Sequence, residues 1–126
     1  MILVDTNIFL EILLDQDAKQ RCKDFLSSSI EQISISDFSL HSIGLILFRE
    51  SKHEKYSQFI RDLLPNIPLL TLTTESYLNL KEDAINYKLD FDDAYQFRIA
   101  NEKGYEIATM DKDFKRVASI IKIHFI

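Results

Sequence analysis

Four short stretches of this chain carry polar residues that could meet around a cation. They are MILVDTN, ISISDFS, KLDFDDA and EIATMDKDF, which begin at residues 1, 33, 88 and 106. Apolar runs such as Met1–Val4 and Ile107–Ala108 are typical of buried parallel strands, whose carboxyl ends lie at one edge of a sheet. Open α/β sheets bind ligands at that edge. The acidic residues expected there, from strand ends and from the start of a helix, are Asp5, Asp92, Asp93, Asp111 and Asp113.

So many carboxylates in one pocket need a compensating charge. Two carboxylates about 5 Å apart repel by roughly 3 kcal/mol at an effective dielectric constant of about 20. Such a pocket either raises the pKa values of its acids or binds a cation. Mg²⁺ and Mn²⁺ prefer oxygen ligands, so the pocket predicts one of these ions. Zinc is disfavoured, because Cys22 is the only cysteine and the histidines lack the spacing of a zinc site.

Taken singly, most of these acids have an ordinary structural explanation. Asp92 and Asp93 fall in the first turn of a helix, where carboxylates cap the backbone and complement the helix dipole. Asp111 and Asp113 could belong to a turn. Asp5 is harder to explain in this way, because a carboxylate at the end of a buried strand needs a partner. The joint occurrence of these groups favours a metal pocket.

Composition limits the class of protein. A length of 126 residues with 46% hydrophobic residues is typical of one domain, residues 1–126, with a single core. The single cysteine fits a reducing cytoplasm, and no apolar run is long enough for a membrane span. The net charge of −5 argues against a protein that coats nucleic acid, so any nucleic-acid contact is expected to be local.

Strands and helices alternate along the chain, which predicts a three-layer α/β/α sandwich around a mainly parallel five-stranded sheet. Right-handed crossovers put every strand-to-helix loop at the same edge. The first strand is expected in the centre, giving the order 3-2-1-4-5. The expected strands are Met1–Asp5, Ile33–Ser36, Pro68–Leu72, Tyr105–Thr109 and Ile120–Phe125. The expected helices are Asn7–Leu14, Asp17–Ile30, Phe38–Arg49, Ser51–Leu64, Thr74 to Tyr87, and Asp90 or Asp92 to Lys103.

Three of these motifs resemble those of PIN-domain proteins, in particular the VapC-type toxin nucleases. They are VDTNIFL from residue 4, FDDAYQFRIANEKG from residue 91 and IATMDKDF from residue 107. The resemblance extends over essentially the whole chain. It implies an acidic pocket that binds Mg²⁺ or Mn²⁺ and hydrolyses phosphodiester bonds in RNA.

The resemblance also implies roles for individual residues. Asp5, Asp93 and Asp111 match the catalytic metal-binding acids, and Asp113 matches an accessory acid. Small polar residues that orient the carboxylates or water are matched by Asn7 and Thr109. Asp92 is expected to support the pocket as a further acid. A basic cluster that could hold substrate phosphates, or could simply be solvated, consists of Lys112, Lys115 and Arg116.

One family element is missing. Most members carry a glutamate on the helix after the second strand, in a pattern like Ser–x–x–Thr–x–x–Glu. The corresponding stretch here starts at Ser36, so Ser42 stands where the glutamate is expected, and the neighbouring His41 could face the pocket instead. A pocket with one acid fewer makes a single metal ion more plausible than two.

The expected chemistry is metal-assisted hydrolysis, in which a cation polarises the scissile phosphate and activates a water. The resemblance implies an RNA substrate, a homodimer, and an antitoxin that inserts a basic side chain into the acidic pocket. Two alternatives remain at this point. One is a PIN fold that grips RNA or a protein without cutting. The other is a receiver-type phosphorylation switch using Asp37, which lacks the required lysine after the fifth strand.

Overall fold

The computed structural model describes residues 1–126, and its centre is a five-stranded parallel sheet. The strand order is β3-β2-β1-β4-β5 and every neighbouring pair is parallel. The predicted order and the predicted central position of the first strand are therefore confirmed. The strands are β1 (Ile2–Val4), β2 (Ile33–Ser36), β3 (Leu69–Leu70), β4 (Glu106–Thr109) and β5 (Ile123–Phe125).

Seven α-helices and one 3₁₀ helix connect these strands. None of the helices combines the length and the apolar character that a membrane crossing requires. The α-helices are α1 (Thr6–Leu13), α2 (Lys19–Ser28), α3 (Asp37–Arg49), α4 (His53–Leu63), α5 (Thr74–Tyr77), α6 (Leu80–Tyr87) and α7 (Phe91–Lys103). The 3₁₀ helix, Lys112–Val117, lies between β4 and β5.

The sheet separates two hydrophobic cores, so the expectation of a single core is wrong. Alternate residues of a strand point to opposite faces, so Ile2 and Val4 of β1 belong to one core and Leu3 to the other. Helices α1 to α4 cover the first core. Helices α6 and α7 and the 3₁₀ helix cover the second. This arrangement confirms the three-layer α/β/α sandwich.

The helix expected from Thr74 to Tyr87 is interrupted, so the prediction of one helix is wrong there. The Thr73 side chain begins α5 by accepting a hydrogen bond from the backbone of Ser76. Leu78 and Asn79 then donate to carbonyls three residues back, which tightens the turn and ends the helix. Helix α6 starts after this break and ends at Lys88, which has a positive φ of 56°.

Helix α3 is less buried than its nearly all-apolar sequence indicates. Ser36 caps it by accepting a hydrogen bond from the backbone of Ser39. Ile43 and Leu47 reach the first core, whereas the side chains of Leu45 and Phe48 are about half exposed, at 53% and 50%. The apolar sequence of this helix predicts either a central buried position or a place in an interface, and the exposure of Leu45 and Phe48 shows that the central buried position is wrong. Its use in an interface stays a prediction.

Candidate metal centre

The carboxyl ends of the strands open into an acidic cavity of about 460 Å³. Asp5 follows β1, and its backbone N–H extends the pairing with β4 by bonding to Ala108 at 2.9 Å. The remaining walls come from α1 and α3, from the start of α7 and from the turn after β4. Five of the lining residues are aspartates, and these are Asp5, Asp90, Asp92, Asp93 and Asp111.

Asp5 is buried and held in one orientation. Its Oδ1 accepts a hydrogen bond from the backbone of Thr6 at 2.8 Å. Its Oδ2 accepts from Thr109 Oγ1 at 2.7 Å and from Asn7 Nδ2 at 3.2 Å. Burial raises the pKa of Asp5 above its ordinary value, while the hydrogen bonds from Thr109 and Thr6 act in the opposite direction.

Asp93 is the least satisfied acid of the pocket. Asp90, rather than Asp92 or Asp93, caps α7 by accepting the backbone hydrogen bond of Asp93 at 2.9 Å. The side chain of Asp93 is thus free of capping, and its buried Oδ2 has no hydrogen-bond partner. Burial, followed by repulsion from Asp90 and Asp111, raises the pKa of Asp93 to about 8. Burial also raises the pKa of Asp92, with a smaller contribution from Asp90.

The turn after β4 brings two further acids to Asp93. Asp111 begins the 3₁₀ helix, where its Oδ1 accepts a hydrogen bond from the backbone of Asp113 at 2.9 Å. Asp111 therefore does have the structural role of a turn residue. One carboxylate oxygen from each of Asp93, Asp111 and Asp113 also lies within 4.8 Å of the others.

These residues fit a hard divalent cation. The three clustered acids offer oxygen ligands alone, which suits Mg²⁺ or Mn²⁺ better than a softer metal. The unpaired, buried Oδ2 of Asp93 supplies an independent reason, because a buried carboxylate oxygen without a donor is unfavourable unless a ligand completes it. Asp5 does not belong to this cluster, but it lines the same cavity as Asp93 and Asp111.

A comparison with known families agrees with this geometry. The family model of the PIN domain matches residues 2–120. The chain belongs to the PIN-domain family. No match was found among curated protein sequences.

Solved structures share the fold of this PIN domain over nearly its full length. VapC20 of Mycobacterium tuberculosis, described as a toxin that cleaves the sarcin–ricin loop, is 20% identical and has a TM-score of 0.80, covering 96% of each chain. A toxin–antitoxin complex from Klebsiella pneumoniae is 20% identical with a TM-score of 0.76, covering 98% of this chain and 95% of that one. VapBC2 of Rickettsia felis, bound to a promoter DNA fragment, is 17% identical with a TM-score of 0.76, covering 100% and 99%.

One residue that the sequence did not single out joins three elements of the PIN domain beneath the pocket. Gln96 of α7 is 1% exposed. Its Nε2 donates to Asp5 Oδ1 at 3.3 Å and to Ser39 Oγ at 2.7 Å, and Ser39 also accepts from Thr6 Oγ1 at 2.8 Å. The only available signal was spacing, because Gln96 follows Asp93 by three residues and so shares its helix face.

Helix α3 presents a serine and an arginine to the pocket in place of the expected glutamate. Ser42 lines the acidic cavity, whereas His41 lines neighbouring surface cavities instead. Arg49, two turns after Ser42, also lines the acidic cavity and takes part in no ion pair. Sequence reasoning missed Arg49, although its spacing of seven residues from Ser42 puts both on one face of the helix.

The predicted phosphate-binding cluster lies outside the lining of the acidic cavity. Arg116 donates to the backbone oxygen of Lys88 at 2.6 Å and approaches Asp113 at 3.5 Å. The ammonium group of Lys112 lies 5.6 Å from the centre of the Phe125 ring. Lys115 is exposed. A role of these three residues in substrate binding stays a prediction.

Proposed function

We propose that this PIN domain is a metal-dependent ribonuclease and the toxin of a toxin–antitoxin pair. The observation that carries the proposal is the convergence of Asp93, Asp111 and Asp113, with an unpaired buried oxygen on Asp93. The proposed ion is Mg²⁺ or Mn²⁺, held by these three acids and Asp5. When bound, such an ion polarises a phosphodiester and lowers the pKa of a water molecule.

The residues of the chain would divide the remaining work. Asp5, fixed by hydrogen bonds from Asn7 and Thr109, would present a carboxylate in a constant orientation. Asp92 lies at the rim of the same cavity, where it would orient water. Positioning of ligands by a second layer of hydrogen bonds is a common requirement of metal sites.

Phosphate binding is assigned to basic residues around the pocket. Arg49 is our first candidate, because it lines the acidic cavity without a carboxylate partner. An arginine can hold a phosphate through two parallel hydrogen bonds. Phosphates further along the RNA strand would be contacted by Lys112, Lys115 and Arg116, since these residues follow the last acids of the pocket in sequence.

The proposed partners are an antitoxin and a second copy of the chain. One of the structures that share the fold is a toxin–antitoxin complex, and another is VapBC2 bound to promoter DNA. Exposed Leu45 and Phe48 offer apolar surface on α3, together with the adjacent Gly44 and Tyr56. Such surface suits a protein partner. We place the active protein in the cytoplasm, where its RNA substrate and antitoxin would be.

One observation favours a second function. Ser42 stands where most members of the family have a glutamate. The pocket therefore has one acid fewer and could bind RNA or a protein without hydrolysis. The missing carboxylate weakens the case for a second metal ion in particular.

A cleavage assay on single-stranded RNA with Mn²⁺ or Mg²⁺ separates the two functions. Wild-type protein is expected to cut only when metal is present, and EDTA is expected to stop the reaction. Asp93→Asn, purified in parallel, is expected to lose nearly all cleavage because it changes the least satisfied acid of the pocket. Equal cleavage by wild type and variant would indicate a contaminating nuclease. Binding of RNA without metal-dependent cleavage would support the binding module.

A further inference from the structure

A second cavity of about 350 Å³ adjoins the acidic pocket, and its walls are mainly aromatic. Phe38 of α3 lines both cavities. Phe91 lies between Asp90 and Asp92 in sequence, and both of these acids line the acidic pocket. The two cavities therefore lie side by side at the starts of α3 and α7. The residues that line the second cavity are Asp37, Phe38, His41, Tyr77, Phe91 and Tyr95.

Two of these aromatic residues are exposed to solvent. The side chains of Phe91 and Tyr77 are 58% and 48% exposed. Tyr95, which is buried, packs against both Tyr77 and Phe38 with ring centres 5.7 Å apart in each pair. The cluster thus has a buried, packed base and an exposed top. Exposed apolar surface of this kind, beside a polar cavity, is typical of a binding site.

A carboxylate with a free oxygen lies at the wall of this cavity. The Oδ1 of Asp37 accepts hydrogen bonds from the Tyr95 hydroxyl at 2.6 Å and from the backbone of Phe38 at 2.8 Å. No donor of the protein bonds to its Oδ2. Asp37 is therefore held in position by two bonds to one oxygen, while the other oxygen remains able to accept a hydrogen bond from a ligand.

We propose that this aromatic cavity binds one nucleobase of single-stranded RNA, next to the phosphodiester that lies in the acidic pocket. The base stacks on Phe91 and Tyr77, and an amino group of the base donates to Oδ2 of Asp37. The inference rests on the proposed ribonuclease function. Base stacking on aromatic side chains is a general means by which proteins hold single strands.

The carboxylate gives the cavity a preference among bases. Adenine, cytosine and guanine each carry an exocyclic amino group that can donate to Asp37. Uracil has only an imino N–H, which lies between two carbonyl oxygens that a carboxylate repels. An amino-bearing base is therefore favoured over uracil at this position.

The first experiment measures kcat and KM for metal-dependent cleavage of a short single-stranded RNA. Phe91→Ala and Tyr77→Ala are each expected to raise KM about tenfold with kcat nearly unchanged, because stacking acts on bound substrate and transition state alike. Phe91→Trp is expected to restore KM to within about threefold. Leu78→Ala is the matched control, because Leu78 is 80% exposed and lines neither cavity. Unchanged KM in both aromatic variants overturns the proposal and leaves the nuclease function standing.

The second experiment measures binding without cleavage. In an Asp93→Asn background, fluorescence anisotropy compares labelled oligoadenylate with labelled oligouridylate. Oligoadenylate is expected to bind at least fivefold more tightly, and Asp37→Asn is expected to remove most of that preference. Equal affinity for the two oligonucleotides, or no dependence on Phe91, overturns the proposal. If the wild-type protein never cuts RNA and RNA binding still depends on Phe91, the result contradicts the nuclease function and supports the base site.

A dimer surface is the competing explanation of the exposed rings. Sedimentation of the Phe91→Ala and Tyr77→Ala variants tests it directly. Conversion of a dimer to monomers with KM unchanged assigns the rings to the dimer and overturns the base site. An unchanged oligomeric state with a raised KM supports it.

Discussion

Two buried aspartates at helix α7 have surroundings that are opposite in character. Asp83 belongs to the neighbouring helix α6, and Asp93 belongs to α7 itself. Asp83 is 4% exposed and accepts two hydrogen bonds from Arg98, at 2.7 and 2.6 Å. Asp93 is 7% exposed, has an unpaired oxygen, and has acids as its charged neighbours. A buried charge is tolerated when a partner compensates it. The chain itself supplies that partner for Asp83, and the expected partner of Asp93 is a bound cation.

The largest expected effect on stability comes from breaking the ion pair between Arg98 and Asp83. Arg98→Ala leaves Asp83 buried without a counter-charge, and we expect the free energy of unfolding to fall by about 3 kcal/mol. Urea denaturation measures the loss. The affinity for Mn²⁺, measured by calorimetric titration, is expected to stay the same because Arg98 does not line the acidic cavity.

Arg61→Ala is the matched control for this prediction. Arg61 pairs with Glu54, but both side chains are largely exposed, at 63% and 86%. Surface pairs of this kind contribute about 1 kcal/mol or less. If Arg98→Ala costs no more than Arg61→Ala, the ion pair of Asp83 does not stabilise the fold as inferred.

Asp93 has no counter-charge, so its ionisation is expected to lower the stability of the metal-free protein. The pKa of Asp93 is raised to about 8 in the folded protein, against about 3.9 in an unfolded chain. The folded state therefore binds more protons between these values, and the metal-free protein loses stability as pH rises from about 4 to about 8. We expect the loss assigned to Asp93 to be about 2 kcal/mol, after allowing for relaxation of a site open to solvent.

Asp93→Asn isolates this contribution. The variant cannot ionise at this position, so it is expected to be more stable than wild type at pH 8 without metal and nearly equal to it at pH 4. Saturating Mn²⁺ is expected to stabilise wild type and to have little effect on the variant. Chemical denaturation at both pH values measures these differences. A stability difference between the two proteins that is the same at pH 4 and pH 8 would show that Asp93 does not titrate in this window.

Much of this arrangement could be predicted from the sequence, because topology determines it. Once the chain alternates between strands and helices, right-handed crossovers bring the ends of β1 and β4 to one edge. The residues after those strands, Asp5 and Asp111, then share a pocket with Asp93. No contact between individual side chains is needed for that conclusion.

The contacts that arrange the pocket could not be predicted, because they depend on side-chain packing between elements far apart in sequence. Gln96 resembles any polar helix residue until β1 and α3 are placed around it. The spacing of Arg49 and Ser42 shows that they share a face of α3, but not that this face lines the pocket. The missing helical turn at Leu78 follows from local hydrogen bonds, which the spacing of apolar residues does not reveal.

Gln96→Leu asks whether the fixed acid, Asp5, needs its buried donor. The substitution keeps the volume roughly constant and removes the hydrogen bonds to Asp5 and Ser39. We expect about a tenfold loss of Mn²⁺ affinity, because residues that orient metal ligands have effects of this size. Stability is expected to change by less than about 1 kcal/mol, because the unpaired Oε1 is removed as well.

A control for side-chain change alone is Gln16→Leu, at an exposed position that does not line the acidic cavity. It is expected to leave Mn²⁺ affinity unchanged. If Gln96→Leu behaves in the same way, Asp5 keeps its orientation through Thr109, Asn7 and Thr6 alone, and Gln96 is a packing residue.

Ser42→Glu gives the smallest expected effect. It tests the role of uncompensated acids by adding a carboxylate to the cavity rather than removing one. The new carboxylate would face the acids of the cavity that Ser42 lines, so the metal-free protein is expected to lose about 1 kcal/mol of stability through repulsion. Mn²⁺ affinity is expected to rise about fivefold, because the added charge favours the bound cation.

Ser27→Glu, on the exposed surface of α2, is the control and is expected to change neither quantity. A rise in RNA cleavage with the rise in affinity would show that the wild-type pocket is limited by its missing acid. Unchanged Mn²⁺ affinity would mean that α3 does not approach the metal closely enough for any residue at position 42 to matter.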